Sequence, residues 1–309
     1  MNLQTALLQG QQLLEEARVA APRLTVEVLL AHAIRCERAW LYAHSDEELR
    51  EVWWIHYGRY LNERLKGKPT QYITGRQEFY GRDFRVTPDV LIPRPETEHS
   101  VEAALELCGA GFSLQRGLQS PHEVSSRQKP GLKPRLQAEA SSTRIADIGT
   151  GSGALAVTLA LEMNTRVIAT DISKDAVHIA ASNAVRLGAN VEFLVCDLGS
   201  ALRDESFDLI VSNPPYVPAS QKDAMQKEVR DYEPHVALFG GLDGLDVYRR
   251  LIPEAWRLLH SGGWLILEIG WAAADRLRAM LDKWDQVDIK ADLAGIPRVI
   301  IARKPAKDQ

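Results

Sequence analysis

Apolar residues recur at helical spacing through the first 68 positions. Leu3, Leu7, Leu14 and Ala17 share one face of a first helical segment that Pro22 is expected to end. Val26, Leu29, Leu30 and Ala33 form a second stripe. Ser45 followed by Glu48 reads as a capping box opening a third, longer helix through Leu61 and Leu65. Trp53, Trp54, Tyr57 and Tyr60 fall near helical spacing and are expected in the core, a partner-facing patch being the alternative. His32, His44 and His56 have no ligand-like pairing. Gly67-Lys68-Pro69 closes this all-helical region, residues 1–68.

From Gln71 to Glu98 the pattern shortens to β segments and prolines. Glu78-Phe79-Tyr80 and Phe84-Arg85-Val86 flank Gly81-Arg82-Asp83 and predict a hairpin. Val90 to Glu98 is a stiff extended piece, with Pro95 placed for the first turn of a helix and Glu96 and Glu98 beside its positive end. Residues 69–98 therefore read as a β-hairpin and extended linker. Residues 110–142 are rich in Ser, Gln, Pro and Gly, and basic residues outnumber acidic ones. Such a segment cannot bury enough surface to offset its ordering entropy and is expected to be a disordered insertion, a basic docking arm being the alternative.

From Arg144 onward, strands alternate with helices, which predicts an α/β domain over 99–309 built on a parallel sheet covered on both faces. Strands are expected at 145–148, 167–171, 191–196 and 207–211, then at 264–269, 287–291 and 298–302. Helices are expected at 153–163, from a Ser173 cap to Leu187, at 245–259 and at 272–284.

Composition narrows the classes. With 309 residues, 45% of them hydrophobic, the chain can bury a real core and divides into two domains. A net charge of −4 and a pI near 6.1 do not mark a nucleic-acid binder. Cys36, Cys108 and Cys196 are far apart and lack CxxC spacing, arguing against disulfides and against a zinc site, so no metal is expected. There is no secretory pattern, and the apolar run Trp264-Leu265-Ile266-Leu267 stops at Glu268, so no membrane association and a cytoplasmic location are expected.

The chemistry concentrates at predicted strand ends. Asp147-Ile148-Gly149-Thr150-Gly151-Ser152-Gly153 sits where a strand turns into a helix, and glycines there let backbone approach a ligand. Asp171 ends the next strand, spaced for a carboxylate gripping ribose hydroxyls. Gly149-x-Gly151-x-x-Ala154 also satisfies a relaxed NAD fingerprint, so an oxidoreductase is a rival at this point. Asp197 ends the third strand, as a ligand contact or a helix cap. Ser212-Asn213-Pro214-Pro215-Tyr216 follows the fourth: two prolines remove two backbone donors but keep their carbonyls, Asn213 adds a side-chain carbonyl, and Tyr216 adds a flat ring. Two acceptors and a ring suit a planar NH2 group; a proline-stiffened turn is the plainer reading of the motif alone.

Together these strand ends resemble a class I S-adenosylmethionine-dependent methyltransferase with a Rossmann-like sheet. The resemblance narrows on Gln71-Tyr72-Ile73-Thr74-Gly75, Glu78-Phe79-Tyr80-Gly81, Leu91-Ile92-Pro93-Arg94-Pro95-Glu96-Thr97-Glu98, Tyr232-Glu233-Pro234 and Gly240-Gly241-Leu242-Asp243-Gly244-Leu245 to the release-factor glutamine methyltransferases (HemK/PrmC). It implies S-adenosylmethionine as cofactor, release factors as protein partners, and methylation of the glutamine amide in their Gly-Gly-Gln motif. It further implies that the helical N-terminal domain recognises substrate. Asp147, Gly149, Thr150, Gly151, Ser152, Gly153, Asp171, Asp197 and Leu198 would then bind the cofactor, which Asn213 also borders. Asn213, Pro214 and Tyr216 would carry catalysis, with Pro215 and Arg94 beside the substrate. Leu198, where many relatives carry an aromatic residue, Ile296-Pro297 and the 110–142 insertion depart from the family pattern. A DNA or RNA amino-methyltransferase acting on adenine N6 or guanine N2 shares the motif and is the alternative; the acidic pI argues against nucleic acid as direct substrate. An inactive cofactor-binding scaffold would give no reason for an intact Asn213–Tyr216 motif.

Overall fold

The computed structural model describes residues 1–109 and 143–306; the segment expected to be a disordered insertion, 110–142, lies outside the described residues. Helices α1 (Leu3–Glu16), α2 (Pro22–Ile34), α3 (Arg38–Ala43), α4 (Glu51–Leu65) and the short α5 (Thr70–Thr74) form the N-terminal layer. The two apolar stripes meet, with Leu3, Leu7, Leu14, Val26, Leu29, Leu30 and Ala33 buried together; Ala17, expected on the first stripe, is the exposed C-cap of α1. Gly10 makes room for Tyr57, since a Cβ there would meet the Tyr57 hydroxyl at 2.1 Å.

Three local expectations give way to tertiary contacts. Pro22 does not end the first helix, which stops at Glu16; it opens α2 at the first position, where its missing N–H costs nothing. Ser45 does not cap α4, which starts at Glu51 after an Arg50 N-cap without a side-chain hydrogen bond. Residues 45–48 are instead pinned to the start of α1, where Gln4 N donates to Ser45 O and Leu3 N to Glu47 O, both at 3.0 Å. Of the four aromatic residues, only Tyr57 is core; Trp53 and Tyr60 are half-buried and Trp54 is exposed.

The hairpin is present as β1 (Arg76–Phe79) and β2 (Arg82–Arg85), paired antiparallel. Its turn is Tyr80-Gly81, one residue earlier than expected, with φ of 52° and 72° as a tight two-residue hairpin turn requires. Phe79 and Phe84 meet edge-on at 6.0 Å and bury themselves in the core of the sheet domain. A 3-10 turn over Pro95–Thr97 then leads into α6 (Glu98–Leu107).

The remaining elements are β3 (Ile145–Ile148), α7 (Ala154–Glu162), β4 (Val167–Asp171), α8 (Lys174–Leu187), β5 (Val191–Val195), β6 (Phe207–Ser212), α9 (Lys227–Tyr232), α10 (His235–Leu238), α11 (Asp246–Leu258), β7 (Leu259–Glu268), α12 (Ala274–Met280), β8 (Asp285–Ala291) and β9 (Pro297–Arg303). Seven strands form one sheet in the order β5-β4-β3-β6-β7-β9-β8, parallel from β5 to β7 and antiparallel beyond. Alternate residues feed the two faces: Leu209, Val211 and Ile266 pack under α6 and α7, while Ile210, Leu265 and Leu267 pack under α11 and α12. Helix α11 runs through Pro253 because its buried face, from Tyr248 to Leu258, anchors both sides of the lost bond. β7 begins earlier than expected, at Leu259, and α12 ends earlier, at Met280, although Leu281 and Trp284 remain buried. The order of β4, β3 and β6 puts the chain's change of direction between β3 and β6, where open α/β sheets form a ligand crevice.

Candidate active site

The glycine loop after β3 is shaped by its neighbours. Gly149 N and Thr150 N both donate to Thr170 O, at 2.8 and 2.9 Å, tying the loop to β4. Gly149, Gly151 and Gly153 have φ of 78°, 55° and 83°. A Cβ on Gly149 or Gly151 would meet nothing within 4 Å, so these glycines leave an open cradle beside the backbone; one on Gly153 would meet Ala180 at 3.1 Å, so that glycine serves helix packing.

Asp147 lies beneath this loop. Its Oδ2 accepts from Thr150 Oγ1 at 2.6 Å and from Ala156 N at 3.1 Å, so it joins the loop to the first turn of α7. It is fully buried, Oδ1 has no hydrogen-bond partner among the described residues, and burial pushes its carboxyl up to about 7. Asp147 and Gly153 therefore stand behind the cleft, whereas Gly149, Thr150, Gly151 and Ser152 line it.

Asp171 also lines the cleft. Its two oxygens accept from Gly151 N and Ser173 N, both at 2.8 Å, and burial raises its carboxyl despite these bonds. A carboxylate has about four lone-pair sites, more than these backbone donors fill, so acceptor capacity stays available to hydroxyl donors. Asp197 lines the wall beyond, paired with Arg250 of α11, and Leu198 follows it at a φ of 50°. An open glycine backbone, a carboxylate with spare acceptors and an apolar wall fit a nucleoside-bearing cofactor.

Asn213, Pro214 and Pro215 form the opposite wall. Among the described residues nothing donates to the Pro214 carbonyl. Asn213 Nδ2 donates to Thr97 Oγ1 at 3.1 Å, and Thr97 Oγ1 donates to Glu268 Oε2 at 2.6 Å. With its NH2 end held, Asn213 keeps its Oδ1 acceptor for the cleft. Tyr216 does not line the cleft: its hydroxyl donates to Glu268 Oε1 at 3.3 Å, and its ring lies against Gly270. Burial beside Glu268 holds that hydroxyl protonated, well above its usual range. Arg94 is likewise outside the cleft, paired with buried Glu233, whose other oxygen accepts from Ile92 N at 3.2 Å. Thr97 and Glu268 are site residues that the sequence pattern does not single out: Thr97 stands within Leu91–Glu98 without a distinguishing signal, and Glu268 shows only as the end of an apolar run.

A further brace reaches the loop from outside. Asn183 on α8 accepts from Arg85 N at 2.8 Å and donates to Arg85 O at 3.0 Å and Ser152 O at 2.9 Å, joining the hairpin to the glycine loop.

Two family descriptions match the chain: the PrmC N-terminal domain over residues 5–75 and the methyltransferase small domain over residues 132–233. The release factor glutamine methyltransferase of Koribacter versatilis is 44% identical over 307 residues, covering 99% of each chain. That of Geobacter sulfurreducens is 39% identical over 293 residues, 94% of this chain and 92% of that protein. Among solved structures, the hMettl16 catalytic domain in complex with MAT2A 3'UTR hairpin 6 has a TM-score of 0.53 over 81% of this chain and 84% of its own, at 13% identity, a likeness of fold alone.

Proposed function

The chain belongs to the release factor glutamine methyltransferase family, and on that premise we propose that it moves a methyl group from S-adenosylmethionine to the glutamine side-chain amide of a Gly-Gly-Gln motif in peptide chain release factors. The observation that carries the reading is the Asn213 amide, anchored by its nitrogen on Thr97 with its oxygen left for the cleft beside the unpaired Pro214 carbonyl. Two acceptors side by side suit the two hydrogens of a primary amide.

The cofactor, when bound, supplies a methyl group on a positively charged sulfur. Gly149–Ser152 would cradle its amino-acid part, Asp171 would hold ribose hydroxyls, and Asp197 and Leu198 would border the adenine. The amide nitrogen is a poor nucleophile because its lone pair is delocalised into the carbonyl. Asn213 Oδ1 and the Pro214 carbonyl counter this by accepting its hydrogens, which favours positive charge growing on nitrogen, and they hold the nitrogen for in-line attack. The proton then leaves readily, since an N-alkylated amide cation is strongly acidic. Tyr216 serves from behind, through Glu268.

We assign substrate recognition to residues 1–68, with 69–98 as the linker and 99–309 as the methyltransferase domain. No helix among the described residues is long and apolar enough to cross a membrane. An enzyme acting on release factors works in the cytoplasm. The test is incubation with labelled S-adenosylmethionine and, separately, release factor, tRNA and DNA. Label on the release-factor glutamine is expected; label confined to nucleic acid would replace this reading by the amino-methyltransferase one.

A further inference from the structure

Glu268 is a carboxylate with 2% exposure at the end of β7, behind the acceptor wall and not among the residues that line the cleft. Burying a carboxylate is costly unless its hydrogen bonds are arranged for it. Here one oxygen takes the Thr97 hydroxyl at 2.6 Å and the other the Tyr216 hydroxyl at 3.3 Å. Thr97 has a single proton to give. Once that proton points at Glu268, its oxygen can only accept along the remaining direction, and the group there is Asn213 Nδ2 at 3.1 Å. The polarity of the chain Glu268–Thr97–Asn213 is therefore fixed from its buried end.

We propose that Glu268 is a positioning residue, whose ionised carboxylate acts through Thr97 to keep the oxygen end of the Asn213 amide toward the acceptor nitrogen, and whose protonation reverses that end. This rests on the function proposed above. A protonated Glu268 donates to Thr97 Oγ1. Thr97 then turns its own proton to Asn213, and the amide is held by its oxygen instead. A half-turn of that amide presents NH2 to the cleft, where two donors would face each other and the acceptor pair of Asn213 and Pro214 is broken. One proton is taken up from solvent and forms an O–H bond at Glu268, two hydrogen bonds reverse direction, and no bond between heavy atoms changes.

The surroundings of Glu268 keep the two states close. Burial raises its carboxyl to about 7, and Glu96 adds to this; the Thr97 and Tyr216 hydrogen bonds and the Arg298 guanidinium act in the opposite direction. Tyr248 donates to the Glu268 backbone carbonyl at 2.6 Å. Arg298 is shared with Asp292 at 2.8 Å and Glu96 at 3.7 Å, so its positive charge is partly neutralised before it reaches Glu268.

The test combines kinetics with a spectroscopic reading. Thr97→Val keeps the shape but removes the hydroxyl; kcat for release-factor methylation should fall about 10- to 100-fold with S-adenosylmethionine affinity unchanged. Thr97→Ser should restore most of that loss. The wild-type kcat should fall on the acid side as Glu268 takes up its proton, and Glu268→Gln, which does not titrate there, should lose this acid limb. In cofactor-free protein, the side-chain amide NMR signals of Asn213 should shift with pH in the wild type and stay fixed in Glu268→Gln. Wild-type kcat in Thr97→Val, equal losses in the Val and Ser variants, an acid limb surviving in Glu268→Gln, or Asn213 signals indifferent to pH would each overturn the inference. The NMR arm needs no acceptor substrate, so it decides this inference even if release factor proves not to be methylated.

Discussion

Replacing Asp147 by asparagine removes the titratable carboxyl beneath the glycine loop while keeping an oxygen for Thr150 and Ala156. The folded-state carboxyl stands at about 7 against an ordinary 3.8, so the folded protein holds this proton over a range in which the unfolded chain has released it. Stability from this group is therefore fully present below pH 3.8 and is lost as pH rises through 7. The whole shift corresponds to about 4 kcal/mol, of which about 2.5 kcal/mol is lost between about pH 5 and about pH 8. The asparagine variant carries a constant offset, since its Nδ2 occupies the place of the unpartnered Oδ1, but no titration. Urea unfolding of cofactor-free wild type and Asp147→Asn across this range should show the variant gaining about 2.5 kcal/mol on the wild type toward alkaline pH. Parallel pH profiles would show that Asp147 is ionised at no cost, and the reading of a neutralised carboxyl bracing the loop would be wrong.

Asp171→Ala should weaken S-adenosylmethionine binding by roughly 1.5–3 kcal/mol, because charge-assisted hydrogen bonds to the ribose are lost; unchanged affinity by calorimetry in a folded variant would misplace the ribose site. Asn213→Ala should leave cofactor affinity nearly intact and lower kcat about 10²–10³-fold, by analogy with deletion of one oxyanion-hole group. A near-normal rate would remove the amide-acceptor argument. Arg94→Ala should destabilise the fold by about 2–4 kcal/mol, since it leaves the buried Glu233 carboxylate without its cation; a loss of activity at unchanged stability would instead assign Arg94 to the substrate.

What could be read from the sequence was what the chain writes locally. The strand ends at Ile148 and Asp171 follow from short apolar runs, the first closed by glycine and the second by an aspartate before the Ser173 cap, and the fourth strand runs to Ser212, one residue past the expected Val211; the sheet edge gathers them without further information. The Asn213-Pro214-Pro215 wall was legible because removed donors and retained carbonyls are properties of the residues themselves. The anchoring of Asn213 was not: Thr97 lies 116 residues before it and Glu268 lies 171 beyond Thr97, and no periodicity links them. An aromatic after two prolines suits a planar group, yet the turn points the Tyr216 hydroxyl at a carboxylate that only the sheet brings near. Asp147 shows the same limit, since a strand's alternation places it at the loop but does not say whether it faces in or out of the cleft. Ser45 failed because its backbone is needed to hold α1, a competing demand that local capping statistics do not contain.

Asn183 grips the hairpin with two hydrogen bonds and the glycine loop with a third. Thermodynamic linkage makes this contact symmetrical in its effects. If a protein docking on the hairpin side changes the loop's affinity for its small ligand by some factor, that ligand changes the affinity for the docked protein by the same factor. An enzyme with two substrates of very different size thus has a physical route by which each can report its presence to the other, through one side-chain amide that touches neither.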